Sequence, residues 1–341
     1  VAVSLSGDVM LASDFSGINL YASLDGGTTW SLNFYGYSFS GMAMNATGGT
    51  LYAAPFSGPI YKSTNTGLKW LPLSSSNSSN WTSIATDSQA QLVFASSTTS
   101  LAFSSDGGDS WTDVSTLTDW TSVAGDYAGS LFFAVRTGAN GIYTFIYANN
   151  QQQLNFVSST ISGNWNYIAC SGIGNLLAVI VSSSPASSST FSLGQSSQRN
   201  KVESVPATLS DGTVYLSINS GGSWLQTSLE ISTWTALAID GQGTTIAAAS
   251  YDLGIYISNS YGRSWYLAEP ILEVSWGALS MSATGNAIAF GTNNGQVWVG
   301  ISQEPTSPPT KPPTSKKDSH RAPSFLSFPS ANSLVIIGSV I

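Results

Sequence analysis

Ser23-Leu-Asp-Gly-Gly-Thr-Thr-Trp30 returns as Ser63-Thr-Asn-Thr-Gly-Leu-Lys-Trp70 and Ser104-Ser-Asp-Gly-Gly-Asp-Ser-Trp111. It appears again as Ser217-Ile-Asn-Ser-Gly-Gly-Ser-Trp224 and Ser258-Asn-Ser-Tyr-Gly-Arg-Ser-Trp265. The tryptophans stand 40, 41 and 41 residues apart from Trp30 to Trp70, Trp70 to Trp111 and Trp224 to Trp265. A fixed period of that size means an array of small supersecondary units, each unable to bury its apolar face alone.

Around each octapeptide the same runs recur. A first run opens on an aromatic residue, as in Trp81-Thr-Ser-Ile-Ala85 or Trp234-Thr-Ala-Leu-Ala238. A tight turn such as Asp240-Gly-Gln-Gly243 leads to a second, Ile246-Ala-Ala-Ala249, and a Gly-containing loop to a third, Ile255-Tyr-Ile-Ser258. The octapeptide then turns the chain into a fourth. Short apolar runs bounded by Gly, Asn, Asp and Ser are strands joined by hairpin turns, and no window has a helical period.

First strands near Val1, Phe39, Trp81, Trp120, Trp165, Trp234 and Trp276 count seven units. Four antiparallel strands in each of seven units predict an all-β, seven-bladed β-propeller over residues 1–302. Unit four lacks the octapeptide, and unit five carries a Ser-rich insertion of roughly 25 residues from Ser184, expected as an exposed loop. Unit seven stops after its third strand. Since Val1 already begins a first strand, the strand that closes the ring is expected upstream of it. Residues 303–323 read as a disordered Pro/Ser/Thr/Lys linker, and the apolar 324–341 as either disordered or the start of a truncated membrane anchor.

Charged residues are only 8% of the chain, so the solvent face must be built from Ser, Thr, Asn and Gly, as is common in secreted and surface-displayed proteins. Residues 1–304 hold 6 Lys/Arg against 17 Asp/Glu, a balance that offers nucleic acid no footprint. Cys170 is the lone cysteine, which excludes an internal disulfide and reads as a small buried hydrophobe. The lone histidine, His320, lies in the tail, so the ring has neither a His-based triad nor a His-ligated zinc site. No cofactor and no metal site is implied, and calcium in an acidic loop stays open. Sequons occur at Asn45, Asn77 and Asn80, which matter for a protein secreted by a eukaryote.

The octapeptide resembles the Asp-box of the BNR-repeat propellers. The acceptor is Asp25, Asn65, Asp106, Asn219 or Ser260, and the wedge is Trp30, Trp70, Trp111, Trp224 or Trp265. Asn or Ser would fail as a general acid or metal ligand yet serves well as a turn acceptor, so the box is structural. The resemblance extends to sialidases, sortilin-type ectodomains, xyloglucan-cleaving glycosidases and photosystem II assembly-factor propellers. It implies that function lies on the ring face opposite the boxes.

Sialidase chemistry would need three arginines converging on a substrate carboxylate, and the ring offers only Arg136, Arg199 and Arg263. A glycosidase needs two carboxylates flanking the scissile bond. The candidates are Asp14 and Asp252, at equivalent positions after second strands, with Asp119, Glu269 and Glu273 as further loop acids. Similarity to the assembly factor is closest in size and would imply a thylakoid-lumen scaffold, but its recognition surface is Arg-rich and this chain is not. The reading the residues favour is a non-enzymatic, extracellular or cell-surface propeller that binds a protein or glycan through its loop face. Its expected contacts are Tyr35, Tyr37, Asp119, Tyr251, Asp252 and Glu269. The tryptophans that open five first strands, Trp81, Trp120, Trp165, Trp234 and Trp276, are expected between blades rather than as sugar platforms.

Overall fold

The computed structural model describes residues 1–13, 18–73, 80–182, 211–269, 276–292, 296–302 and 334–336. Blade one contains β1 (Ala2–Val3), β2 (Met10–Ser13), β3 (Asn19–Ser23) and β4 (Ser31–Tyr35). Blade two contains β5 (Phe39–Met44), β6 (Leu51–Pro55), β7 (Tyr61–Ser63) and β8 (Leu71–Pro72). Blade three is β9 (Trp81–Thr86), β10 (Val93–Ser97), β11 (Leu101–Ser104) and β12 (Thr112–Ser115). Blade four follows as β13 (Trp120–Gly125), β14 (Leu131–Arg136), β15 (Gly141–Ala148) and β16 (Gln151–Ser158). In blade five are β17 (Asn164–Cys170), β18 (Leu177–Ser182), β19 (Gly212–Ser217) and β20 (Leu225–Gln226). Blade six has β21 (Trp234–Ile239), β22 (Ile246–Ser250), β23 (Gly254–Ser258) and β24 (Tyr266–Glu269). Blade seven has β25 (Trp276–Met281), β26 (Ala287–Thr292), β27 (Val297–Ser302) and β28 (Leu334–Ile336). Each blade is one antiparallel sheet whose strands lie in chain order, a seven-bladed propeller.

The apolar side chains gather into seven clusters, one at each seam between consecutive blades. Second strands such as β6, β10, β18 and β22 are buried along their whole length, since both sheet faces meet a neighbour. The fourth strands form the wetter outer rim. Trp81, Trp120, Trp165, Trp234 and Trp276 are all buried at seams. Burying a Trp removes about 150–250 Å² from water, on the order of 4–6 kcal/mol of transfer free energy.

A β-bulge follows the opening aromatic residue in blades two, four and six, turning the next hydroxyl toward the adjoining blade. Thus Ser40, Thr121 and Thr235 donate to the carbonyls of Trp81, Trp165 and Trp276 at 2.6, 2.7 and 2.7 Å.

Blade four replaces its missing octapeptide with a two-residue hairpin. Asn149 and Asn150 have φ of 52° and 59°, the left-handed pair that matches strand twist, and β15 and β16 pair over eight residues each. The closing strand is a correction to the sequence reading. The fourth position of blade seven is taken by Leu334–Ile336, paired to Gly300–Ser302, and not by a strand upstream of Val1. An open third-strand edge would leave its N–H and C=O groups unpaired, and a Leu-Val-Ile run suits that edge. The insertion from Ser184 and the linker 303–323 lie outside the described residues.

Candidate functional site

Strand alternation puts the turns after first and third strands on one face, and the second-to-third loops and blade connections on the other. In the octapeptide of blade three, the Ser104 hydroxyl donates to Asp106 at 2.7 Å and accepts from the Gly108 N–H at 2.7 Å. Asp106 also accepts the Ser110 N–H at 2.8 Å. The same acceptor bond is made by Asp25, Asn65, Asn219 and Ser260, at 2.8–3.0 Å. Four hydrogen bonds at Asp25, led by that of the Thr29 hydroxyl, hold its carboxyl down at about 2. Every acceptor is spent inside its own turn, so the box carries no open chemistry.

The tight turn between first and second strands, exemplified by Asp240–Gly243, is kept in all seven blades. It starts at Ser4, Asn45, Asp87, Asp126, Ser171, Asp240 and Ser282, each with Gly or Ala three residues on. The side-chain oxygen of the first residue accepts the N–H five residues later in every blade, at 3.0–3.2 Å. The next residue joins blade to blade through the backbone. Leu5 donates to Ala46, Ala46 to Ser88, Ser88 to Tyr127 and Tyr127 to Gly172, all at 2.9–3.0 Å. Gly241 donates to Ala283 at 2.8 Å and Ala283 to Leu5 at 3.0 Å, which closes the circle. The link from Gly172 to Gly241 is not made. There the Tyr127 ring fills the space, 2.2 Å from where a Cβ on Gly172 would stand and 3.0 Å from one on Gly241.

Inside this belt lies a cavity of 260 Å³, walled by the first strands of all seven blades, with Met42, Met44, Tyr167 and Met281 among its lining. Burial, the Asp240 carboxylate and Cys170 push the Tyr127 hydroxyl up to about 12. Burial likewise drives the Cys170 thiol far up, and its Sγ donates to the Ser171 carbonyl at 3.0 Å. A protonated, hydrogen-bonded thiol is a poor nucleophile, consistent with a packing role.

The loop face holds the sequence-predicted contacts, but not as one cluster. Asp252 accepts the Ser250 hydroxyl at 2.6 Å and the Ser232 hydroxyl, stapling the β22–β23 loop to the connection entering blade six. Burial opposes its ionisation, but those two hydroxyls outweigh it and hold the carboxyl below its usual range. Asp14 lies outside the described residues. Residue 14 follows β2 in blade one, whereas Asp252 belongs to blade six, with blade seven standing between. Asp119 sits at φ 65° between blades three and four, and accepts the Thr118 hydroxyl at 2.8 Å. Tyr251 is half-buried and its N–H donates to Thr233 at 2.9 Å. Glu269 ends β24. Of the sequons, Asn45 spends its Oδ1 on the turn of blade two, Asn80 is exposed before β9, and Asn77 lies outside the described residues.

The connection that carries Tyr35 and Tyr37 is tied by backbone bonds to two neighbouring segments. The Gly36 N–H donates to the Ile18 carbonyl at 2.9 Å, and the Phe56 N–H to the Ser38 carbonyl at 2.6 Å. These bonds hold Ile18 and Phe56 beside the connection from blade one to blade two, where Ile18, Tyr35, Tyr37 and Phe56 are 47%, 71%, 36% and 54% exposed. Tyr37 is fixed from below, its ring 6.0 Å from Phe34 and 4.9 Å from Tyr61.

A second cavity, of 390 Å³, opens on the box face and is lined by Lys62, Lys69 and Asp109 with Leu71 and Leu73. The Lys62 ammonium donates to the Gly107 carbonyl at 2.7 Å. Asp87, Asp106 and Asp109 all lie near enough to help burial raise the Tyr52 hydroxyl beside it. Lys62 therefore works as a tie between blades two and three.

No protein-family model matches the chain, and no curated protein sequence does either. Among solved structures the ring is similar to YCF48 bound to a D1 peptide, with a TM-score of 0.60 and 12% identity over 90% of this chain and 92% of that one. It also aligns with the GH74 enzyme of Niastella koreensis, at a TM-score of 0.47 and 11% identity, over 85% of this chain and 61% of that one. At such identities the likeness is one of fold.

Proposed function

We propose that this chain is a non-enzymatic propeller of the Asp-box type that binds a protein partner through its loop face. The observation that carries this reading is the exposure of Tyr35, Tyr37 and Phe56 on backbone-bonded segments at the loop-face end of blades one and two. Large aromatic groups that stay exposed on hydrogen-bonded segments make good binding anchors, because little entropy is lost when a partner covers them. The acids on the same face support it from the other side. Asp252 and Asp119 are each engaged by neighbouring hydroxyls, as fits positioning rather than proton transfer. The likeness to YCF48, whose structure holds a peptide, is in keeping with a peptide-like partner.

The test is a random-peptide display screen against the whole chain and against a Tyr35→Ser/Phe56→Ser double variant. Sequences enriched on the first and lost on the second are expected. Enrichment indifferent to the patch sinks the reading, and so does β-glucan hydrolysis abolished by Asp252→Ala. The low charge and hydroxyl-rich surface support a secreted or cell-surface setting. Exposed Asn80 is then the sequon best placed for a glycan, which a mass shift on enzymatic deglycosylation would reveal.

A further inference from the structure

The outer strand of a blade presents a row of unpaired N–H and C=O groups, which invites pairing with another chain unless it is short, bulged or charged. Most outer strands of this ring are blunted in one of these ways. β8 and β20 are two residues long and β28 three. β4, β12 and β24 each have a break in register, and β12 also carries Asp113. β16 has none of these devices. It pairs with β15 in unbroken register over eight residues, Gln151–Ser158, and residues 141–158 hold neither a charged side chain nor a proline. Among the described residues nothing is paired to its other side.

This edge complements itself. The Ser159 N–H donates to the Asn140 carbonyl at 2.7 Å, so the odd-numbered residues of β16 are those that bond to β15. The N–H and C=O groups of Gln152, Leu154, Phe156 and Ser158 therefore point outward. A second β16, antiparallel and related by a two-fold axis at Asn155, sets Gln152 against Ser158 and Leu154 against Phe156, each twice. Every outward backbone group then finds a partner, each apolar side chain meets another, and no like charges face each other. Phe156 is 49% exposed, with its ring held 4.9 Å from that of Tyr143. We propose that β16 is a dimerisation edge that pairs antiparallel with β16 of a second copy of this chain, joining two fourth blades into one eight-stranded sheet. The site lies on the rim of blade four, apart from the loop face, and does not depend on the partner-binding reading above.

Sedimentation over a concentration series and cysteine cross-linking, both on the whole chain, test it. The natural chain should reach the mass of a dimer and stop there, because a two-fold contact uses up the edge. Leu154→Pro removes an outward N–H without touching the ladder to β15, and Phe156→Lys places a cation in the apolar pair. Each should weaken the dimer ~10-fold or more. The lysine variant decides the matter should a melting curve show that proline unfolds the blade. Tyr35→Ser/Phe56→Ser should leave the dimer unchanged. In this register the two Asn155 Cα atoms stand about 4.5 Å apart, within reach of a disulfide. Under mild oxidation Asn155→Cys should therefore link at least ~10-fold faster than Gln153→Cys, which faces Val157 instead. Cys170, its thiol pushed up by burial, adds little background. A monomer at every concentration, which would leave the edge to a strand of another protein, overturns the proposal. So does assembly beyond two copies, a dimer indifferent to both edge variants, or equal cross-linking of the two cysteines.

Discussion

The Ala283 N–H, in the seventh blade, donates to the carbonyl of Leu5, in the first, at 3.0 Å. Residues nearly 280 positions apart thereby complete a circle of backbone hydrogen bonds on the box face, open only between Gly172 and Gly241. Among the described residues the seventh-to-first seam has the smallest apolar cluster, Met10, Ala289 and Val299 at its centre, and the belt bond adds to it there.

Hydrogen exchange should read this belt directly. The amides of Leu5, Ala46, Ser88, Tyr127, Gly241 and Ala283 are expected to exchange about tenfold or more slowly than that of Gly172. Uniform rates across all seven positions would mean the belt opens as readily as an ordinary turn.

Two glycines separate steric cost from conformational cost. Gly221, in the box turn of blade five, has φ +92°, and a Cβ there would lie 2.3 Å from Ile142 Cδ1. Gly138 has φ +71° with nothing within 4 Å. Gly138→Ala should cost about 1–2 kcal/mol, the left-handed penalty alone, and Gly221→Ala about 1–3 kcal/mol more. Adding Ile142→Val, which removes the clashing Cδ1, should recover part of the larger loss in denaturant unfolding.

The octapeptide depends more on its serine than on its acid. Ser104→Ala leaves the buried Gly108 N–H without its acceptor and should destabilise by about 1–3 kcal/mol. Asp106→Asn should stay within about 0.5 kcal/mol, because Asn219 makes the same turn with its Nδ2 donating to Ser223 at 3.0 Å. Equal losses for the two variants would refute a structural box.

Asp252 should show its staple in the pH dependence of stability. Its carboxyl titrates below the ordinary 3.8, so ionisation favours the folded ring. That contribution is fully present above the unfolded value and disappears as pH falls through the folded one. Asp252→Asn should therefore be less stable than the natural chain at neutral pH, with the gap narrowing under acid. A gap that does not change with pH would mean the two serine hydroxyls gain nothing from the charge.

The box was legible because a wedge, a positive-φ glycine and an acceptor recur at fixed spacing. The belt turn is the better kept of the two and shows in the sequence as a tight turn ending in a small residue, but not as a link between blades. Its first residue is Ser, Asn or Asp in turn, unified by an acceptor oxygen rather than by identity. The proposed contact residues are only partly legible. Tyr35 and Tyr37 were visible as loop aromatics, whereas Ile18 and Phe56 join them through backbone bonds from two different loops.

The sequence by itself determined the strands, the seven blades and the seam tryptophans, because those follow from local periodicity and from where apolar side chains must hide. How the ring closes, and where Tyr127 replaces the missing belt link, came only from the tertiary structure. Those relations join residues far apart in the chain, and nothing in local spacing encodes a distance across a closed circle.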